Sequence, residues 1–236
     1  MGKIAPQELL EAEDWTSAMA RLRENVGRQL ATTLIRALYN KDLQKRWRAA
    51  EALGIVVAQM AQVDAESARE IMRRLLWSLN EDSGSIGWGA PEAMAEVLRQ
   101  SPQMRQEFLA VFMGHLEPPR WQRMDPWIRI GFLWGLWRLG KEACGTDAVL
   151  QITPILIKSL NDGQPPEKAW AFLAGKALGL LEETHSWGQV LICESTFPFY
   201  ISGKVISKPT GDILKGLPST APPAKTPFPS QGSPLG

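Results

Sequence analysis

The sequence predicts an all-α fold, an α-α superhelix of about four helical hairpins with a small C-terminal β appendage. Three observations predict it. Shifted by 41 residues, Trp88-Gly-Ala-Pro-Glu-Ala-Met-Ala95 lies over Trp47-Arg-Ala-Ala-Glu-Ala-Leu-Gly54, matching Trp, Ala, Glu and Ala in register. Apolar residues recur at three- and four-residue spacing through most of the chain up to Glu183, the period of helices with a buried face. The predicted first helices of successive hairpins end at Leu38, Leu79, Leu116 and Leu160, at intervals of 41, 37 and 44 residues. A hairpin repeated at such a period cannot bury its apolar face alone, so its neighbours must stack on it.

Each element has its own signal. Pro6 suits a first helical turn, and Trp15, Ala18, Met19 and Leu22 follow at helical spacing, predicting a terminal cap helix over 6–24. A second helix runs from Arg28 to Tyr39 on Leu30, Leu34, Ile35 and Leu38, and Asn40-Lys41-Asp42 ends it. The third, Leu43 to Gln62, carries Trp47, Ala50, Leu53, Val57 and Met60. So short a turn makes the pair antiparallel. The second hairpin is Ser67–Leu79, the loop 80–89, and a helix from Ala90-Pro91-Glu92 to about Arg99. The third is Met104–Leu116, stopped by Glu117-Pro118-Pro119, then a helix through Leu139 with Asp125 as N-cap and Pro126 at N1. The fourth is Asp147–Leu160, broken or kinked at Pro154, then Glu167–Glu183.

Asp42, Arg46, Ala49-Ala50 and Ala52-Leu53-Gly54 resemble the HEAT-repeat pattern, in which a loop Asp precedes an Arg and small residues precede Leu-Gly. The run Thr153–Asp162, with its first-helix proline, and Ala177-Leu178-Gly179 look like the same pattern. Two departures stand out. In the Leu-Gly register the fourth unit has Ala171 where the Arg belongs, and the third keeps Leu139-Gly140 but has Gly and Trp at the small positions. The resemblance covers roughly residues 28 to 183 and extends to the short HEAT-like repeats of phycobilin lyase-type proteins. It implies an armadillo-like stack whose second helices line a concave face.

Beyond Ser186 the composition changes. Gln189–Cys193, Phe199–Ile201 and Lys204–Ser207 have strand composition, and Ser202-Gly203 is a hairpin turn. The expected organisation is a helical repeat domain over 1–186, a β hairpin-like appendage over 187–217, and a Pro-rich tail over 218–236 too poor in apolar residues to order itself.

Charge and composition narrow the function. Lys plus Arg (26) nearly cancel Asp plus Glu (25), so no global field draws the chain to nucleic acid or anionic lipid. No apolar run is long enough to span a bilayer and the first residues lack a signal-peptide core, so a cytoplasmic protein without membrane association is expected. Cys144 and Cys193 sit among apolar residues without metal-ligand spacing and are expected to be buried thiols. His115 and His185 lack a neighbouring ligand or nucleophile signature and read as structural. No metal, cofactor or catalytic constellation is expected.

The candidates for contact are few. The loop Ser83–Gly89 has the glycines of a phosphate cradle, but Glu81 and Asp82 repel phosphate and no Lys follows, so it is expected to be a lengthened turn. Glu81, Asp82 and Trp88 on that loop form the first recognition patch. Glu51 and Glu92 occupy equivalent repeat positions and could make an acidic stripe for a basic partner, or be ordinary solvated residues. Arg120 and Trp121 are expected in a loop, free to bind, whereas the helix after them is apolar almost all round and should be buried. The expected function is a non-catalytic protein-binding scaffold using the concave face and inter-helix loops. The alternatives implied by the resemblance are a DNA-binding, alkylated-base glycosylase-like HEAT protein, which would need a basic groove, and a bilin lyase-related protein.

Overall fold

The computed structural model describes residues 4–22, 26–80, 87–180, 190 and 193–217. Among them are twelve helices and one two-stranded antiparallel sheet, so the chain is mostly helical with a small β hairpin near its C-terminus. The region predicted as one cap helix is two, α1 (Pro6–Glu11) and α2 (Trp15–Leu22). The break has a local cause: Asp14 accepts hydrogen bonds from the Ser17 backbone N–H (3.0 Å) and hydroxyl (2.6 Å), starting a new helix.

The hairpins follow in order. α3 (Arg28–Ala37) pairs with α4 (Leu43–Val63), α5 (Ala65–Asn80) with α6 (Ala90–Gln100), and α7 (Pro102–Gly114) is followed by α8 (Pro118–Arg123) and α9 (Pro126–Cys144). The last pair is α10 (Thr146–Asp162) and α11 (Pro165–Leu178). Residues Arg120 and Trp121, expected in a loop, lie in α8, which Pro118-Pro119 start. In α9 the helical backbone is interrupted at Gly140 (φ 68°), next to the predicted end at Leu139. By contrast α10 continues through Pro154 without the predicted break. Pro154 removes the donor to the Leu150 carbonyl, and Leu150 is exposed, so water can serve that group. Glycine in the left-handed conformation at Gly179 ends α11, short of the predicted Glu183.

The second helices form a row in which α4 packs on α6, α6 on α9 and α9 on α11. Close approach requires small residues at the crossings. A Cβ on Gly54 would lie 2.6 Å from the Glu96 Cβ, and one on Gly135 would lie 2.7 Å from the Ala95 Cβ. These lateral partners are 42 and 40 residues apart, within one residue of the 41-residue sequence echo.

The other side of the row is covered by both ends of the chain. β1 (Thr196–Ile201) and β2 (Lys204–Pro209) pair with Phe199 opposite Ile206, and both turn residues have positive φ, Ser202 (50°) and Gly203 (83°), as a two-residue hairpin turn requires. Tyr200 stacks on Trp47 (5.4 Å between centroids) and leans on Trp134 (6.3 Å), while Phe199 meets Trp170 (5.1 Å). Such pairs add to the burial of large apolar area. The helix α12 (Thr210–Gly216) ends the described chain and was not legible in the sequence. Gly211 N–H and Thr210 N–H reach the carbonyls of Cys193 (3.0 Å) and Ser195 (3.1 Å). Of the strand predicted over 189–193, Val190 is helical and Cys193 lies outside any strand, while Gln189, Leu191 and Ile192 lie outside the described residues. Cys144 is buried, which pushes its thiol up to about 12, and Cys193 is half-buried.

Candidate functional site

Neighbouring second helices begin along one edge of the row, and two of them begin alike. Asp42 caps α4 by accepting from the Gln44 (2.8 Å) and Lys45 (3.2 Å) N–H groups, and Asp125 caps α9 by accepting from Trp127 N–H (2.8 Å). Four residues after each Asp stands an arginine that donates back to a loop carbonyl: Arg46 to Asn40 O (2.9 Å), Arg129 to Met124 O (3.2 Å). Each guanidinium also lies over an indole, Arg46 over Trp88 (4.6 Å) and Arg129 over Trp121 (6.0 Å). Each then faces a glutamate in the first turn of the next second helix. Arg129 pairs with Glu167 (2.9 Å), and the charge of Arg46 acts on Glu92.

The Glu92 end of this device holds a small cavity of about 20 Å³, lined by Arg46, Trp47, Trp88, Glu92 and Trp127 among others. Glu92 is 6% exposed, and its Oε2 has no hydrogen-bond partner. Nor have the indole nitrogens of Trp47 and Trp88. The Trp47 N–H lies close enough to favour the charged carboxylate, yet does not meet it in hydrogen-bond geometry. Burial pushes the Glu92 carboxyl up to about 7, against the opposing pull of its own backbone N–H and of Arg46. Room for it comes from α9: a Cβ on Gly131 would sit 2.6 Å from Glu92 Oε2. The rim is formed by partly exposed Arg46 and Trp88 and by Trp127, which is 50% exposed. The arrangement therefore sets a buried carboxyl, pushed up to about 7, beside the Trp47 and Trp88 indoles and the Arg46 guanidinium, with half-exposed Trp127 at its edge.

Glu51 is placed differently. Its carboxylate accepts from Trp15 Nε1 (2.7 Å), the Tyr200 hydroxyl (2.6 Å) and Arg138 (2.8 Å), joining α2, α4, α9 and β1 at one buried point. Arg138 also donates to Glu96, and Glu96 pairs with Arg99 (3.2 Å). Burial alone would push Glu96 up, but Arg138 and Arg99 overcome it and hold the carboxyl below its usual value. Tyr200 is raised well above its ordinary value by burial and by the Glu51 charge.

The structure thus separates the predicted contact residues. Trp88 and Glu92 come together at the cavity, and exposed Arg120 joins the same edge by bonding Asn80, where the turn into α6 begins. Trp121 is buried beneath Arg129, so it is not free to bind as expected of a loop residue. Glu51 and Glu92 make no solvated stripe, because Glu51 is covered by Trp15 and Tyr200 and Glu92 lies between helices. Glu81 and Asp82 lie outside the described residues, as do His185 and the tail 218–236. Buried His115 donates its Nδ1–H to Val111 O (2.8 Å) and stacks on Phe132 (5.5 Å). Sequence reasoning placed Trp127 and Arg129 on a helix buried all round, whereas Trp127 is half-exposed, and it did not find the Glu96–Arg138 pair. The first two had a signal, since Arg129 follows Asp125 at the spacing by which Arg46 follows Asp42.

No family model matches the chain, and no solved structure matches it significantly. Over 84 residues it is 36% identical to an uncharacterized protein of Archaeoglobus fulgidus, a match covering 36% of this chain and 43% of that one. The matched part therefore spans less than half of that relative. Among the described residues no helix is long and apolar enough to cross a membrane, and no three His, Cys, Asp or Glu side chains are grouped to hold a metal.

Proposed function

We propose that this protein is a HEAT-like, non-catalytic scaffold of the cytoplasm that holds a protein partner along the edge where α4, α6 and α9 begin. The observation that carries the proposal is the concentration there of accessible indole beside charge: half-exposed Trp127 and partly exposed Trp88, with Arg46 and Glu92 around one small cavity. Aromatic and arginine side chains are the groups that anchor protein interfaces. In the sequence Glu81 and Asp82 precede Trp88 by seven and six residues, and these carboxylates would favour a partner with basic groups. The face of the second-helix row is filled around Glu51 by the hairpin and α2, which supports reading the inter-helix turns as the contact surface.

The test is affinity capture from a lysate of the source organism with wild type, Trp88→Ala/Trp127→Ala, and Trp77→Ala as a control on a tryptophan exposed elsewhere (67%). A protein retained by wild type and the control but lost by the double variant supports the edge. Undiminished capture by the double variant overturns the edge, and no saturable capture of any protein overturns the scaffold.

A further inference from the structure

The hydrogen-bonding phase of the hairpin leaves one strand edge open. A two-residue turn closes on Ile201 and Lys204, so Ile201 with Lys204, Phe199 with Ile206 and Phe197 with Lys208 are the pairs that exchange backbone bonds. Val205 and Ser207, which alternate with them on β2, point their N–H and C=O groups away from β1. Three bonds fix this phase. The Val205 N–H donates outward to Gln44 Oε1 (3.1 Å), the Gly203 carbonyl accepts from Arg48 (2.7 Å), and the Thr210 N–H turns inward to the Ser195 carbonyl (3.1 Å). Pro198 stands opposite Ser207, where the ladder needs no N–H.

The two ends of this edge differ. Near the turn α4 covers it, and the Gln44 side-chain amide takes the place of a neighbouring strand's carbonyl. From Ser207 onward the edge is open: Ser207, Lys208 and Pro209 are exposed, and among the described residues nothing bonds the outward N–H and C=O of Ser207. Such an edge is a template for another extended chain.

Charge selects that chain. Lys204 and Lys208 are exposed on one face of β2, roughly 13 Å apart along the strand. Half-buried Ile206 lies between them, and neither lysine has an ion-pair partner among the described residues. These lysines also oppose self-pairing. In a two-fold pairing on Ser207, Lys208 of one copy would lie opposite Ile206 of the other, between that copy's Lys204 and Lys208.

We propose that the Ser207 edge of β2 is a docking site for an extended acidic segment of another protein, which adds to the hairpin as a third, antiparallel strand. Ser207 supplies a donor and an acceptor, Lys204 and Lys208 meet carboxylates at the two ends of the segment, and Ile206 takes the apolar side chain between them. The inference goes beyond the scaffold reading above and does not rest on it, because the surface is a different one and is tested on the chain alone.

The probes are the synthetic peptide acetyl-Glu-Thr-Val-Thr-Glu-amide and its counterpart with lysine in place of both glutamates. Each is titrated into the full chain and followed by the backbone amide signals in a proton–nitrogen correlation spectrum. The glutamate peptide is expected to move the Ser207 and Lys208 amides along a saturable curve, with half-saturation on the order of 1 mM for a few net hydrogen bonds and exposed ion pairs. Added salt at about 0.5 M should weaken it several-fold, and the lysine peptide should leave these amides unmoved. Ser207→Pro removes the outward N–H without touching a ladder bond and should weaken binding at least about fivefold, whereas Ser207→Ala keeps the N–H and should bind as wild type does. Lys204→Ala/Lys208→Ala should weaken binding and remove its salt dependence. A glutamate peptide with both threonines N-methylated cannot complete the pairing and should not bind, a control that needs no change in the protein. Absence of a saturable shift, equal binding of the lysine peptide, undiminished binding of the N-methylated peptide or by Lys204→Ala/Lys208→Ala, or a response confined to amides away from β2 each overturns the proposal. None of these outcomes bears on the capture experiment at the helix heads, so failure of this docking site and failure of the scaffold are distinguishable.

Discussion

Two glutamates matched by the sequence echo, Glu51 and Glu92, end in opposite circumstances. Glu51 is saturated by Trp15, Tyr200 and Arg138, and removing it would leave an arginine short of a partner, a phenol and an indole without their acceptor. Breaking a buried pair from one side costs about 3–5 kcal/mol, so Glu51→Leu should lower the urea midpoint sharply, while Trp77→Ala on the surface should shift stability by less than about 0.5 kcal/mol. Glu92 has the opposite problem, a buried carboxyl with an unmet oxygen. Because its folded-state pKa of about 7 lies above the ordinary 4.5, the native protein binds the proton more tightly between those values. Stability from this group is therefore full below pH 4.5 and falls as pH rises to about 7. The loss amounts to about 3 kcal/mol at most. Urea unfolding of wild type and Glu92→Gln at pH 5 and pH 8 measures it: the variant should gain on wild type at the higher pH, and parallel pH dependence would remove the assignment.

At the scale of the element, the turns decide more than the helices. α9 starts where it does because Asp125 caps it ahead of Pro126, and Asp125→Ala should cost about 1 kcal/mol. The β1–β2 turn is more demanding. Gly203 has φ of 83°, and a Cβ there would fall 2.1 Å from the Trp15 ring. Its carbonyl also accepts from the buried Arg48 (2.7 Å). Gly203→Ala must therefore strain the turn and push α2 off the hairpin, for an expected loss of about 3 kcal/mol, read as a fall in Tm with retained helical circular dichroism. The echo of Leu53-Gly54 in Leu139-Gly140 proved a poor guide to the third unit, because Gly140 breaks the helix and Gly135 makes the close approach to Ala95. Asp125 and Arg129 set the register there.

For the whole molecule, the hairpin and the N-terminal helices act as a cover on the row of second helices. Tyr200 and Phe199 lie on Trp47, Trp134 and Trp170 and shield them from water on that side. Deleting residues 194–236 should expose these rings and strip Glu51 of the Tyr200 hydroxyl, giving dye binding to apolar surface and a broadened unfolding transition. Deleting 218–236, a stretch of prolines and polar residues by composition, should leave both measurements as in the full chain.

The paired helices from α3 to α11 apart from α8, and the hairpin turn, were legible in the sequence because their signals are local. Helical periodicity, Asp and Pro at helix starts, and Ser-Gly between two apolar runs each act within a few residues. The burial of α9 was legible too, since a helix apolar on every side has only one place to go. What covers the row was decided by the tertiary structure alone. The bonds from Tyr200 to Glu51 and from Arg48 to Gly203 join residues 149 and 155 positions apart, and no local pattern marks either pair. The same holds for the cavity. Trp88 and Glu92 stood in one motif, but Trp127 reaches it only when α9 packs on α6, and it is that packing which sets the Glu92 carboxyl against Gly131 and buries it.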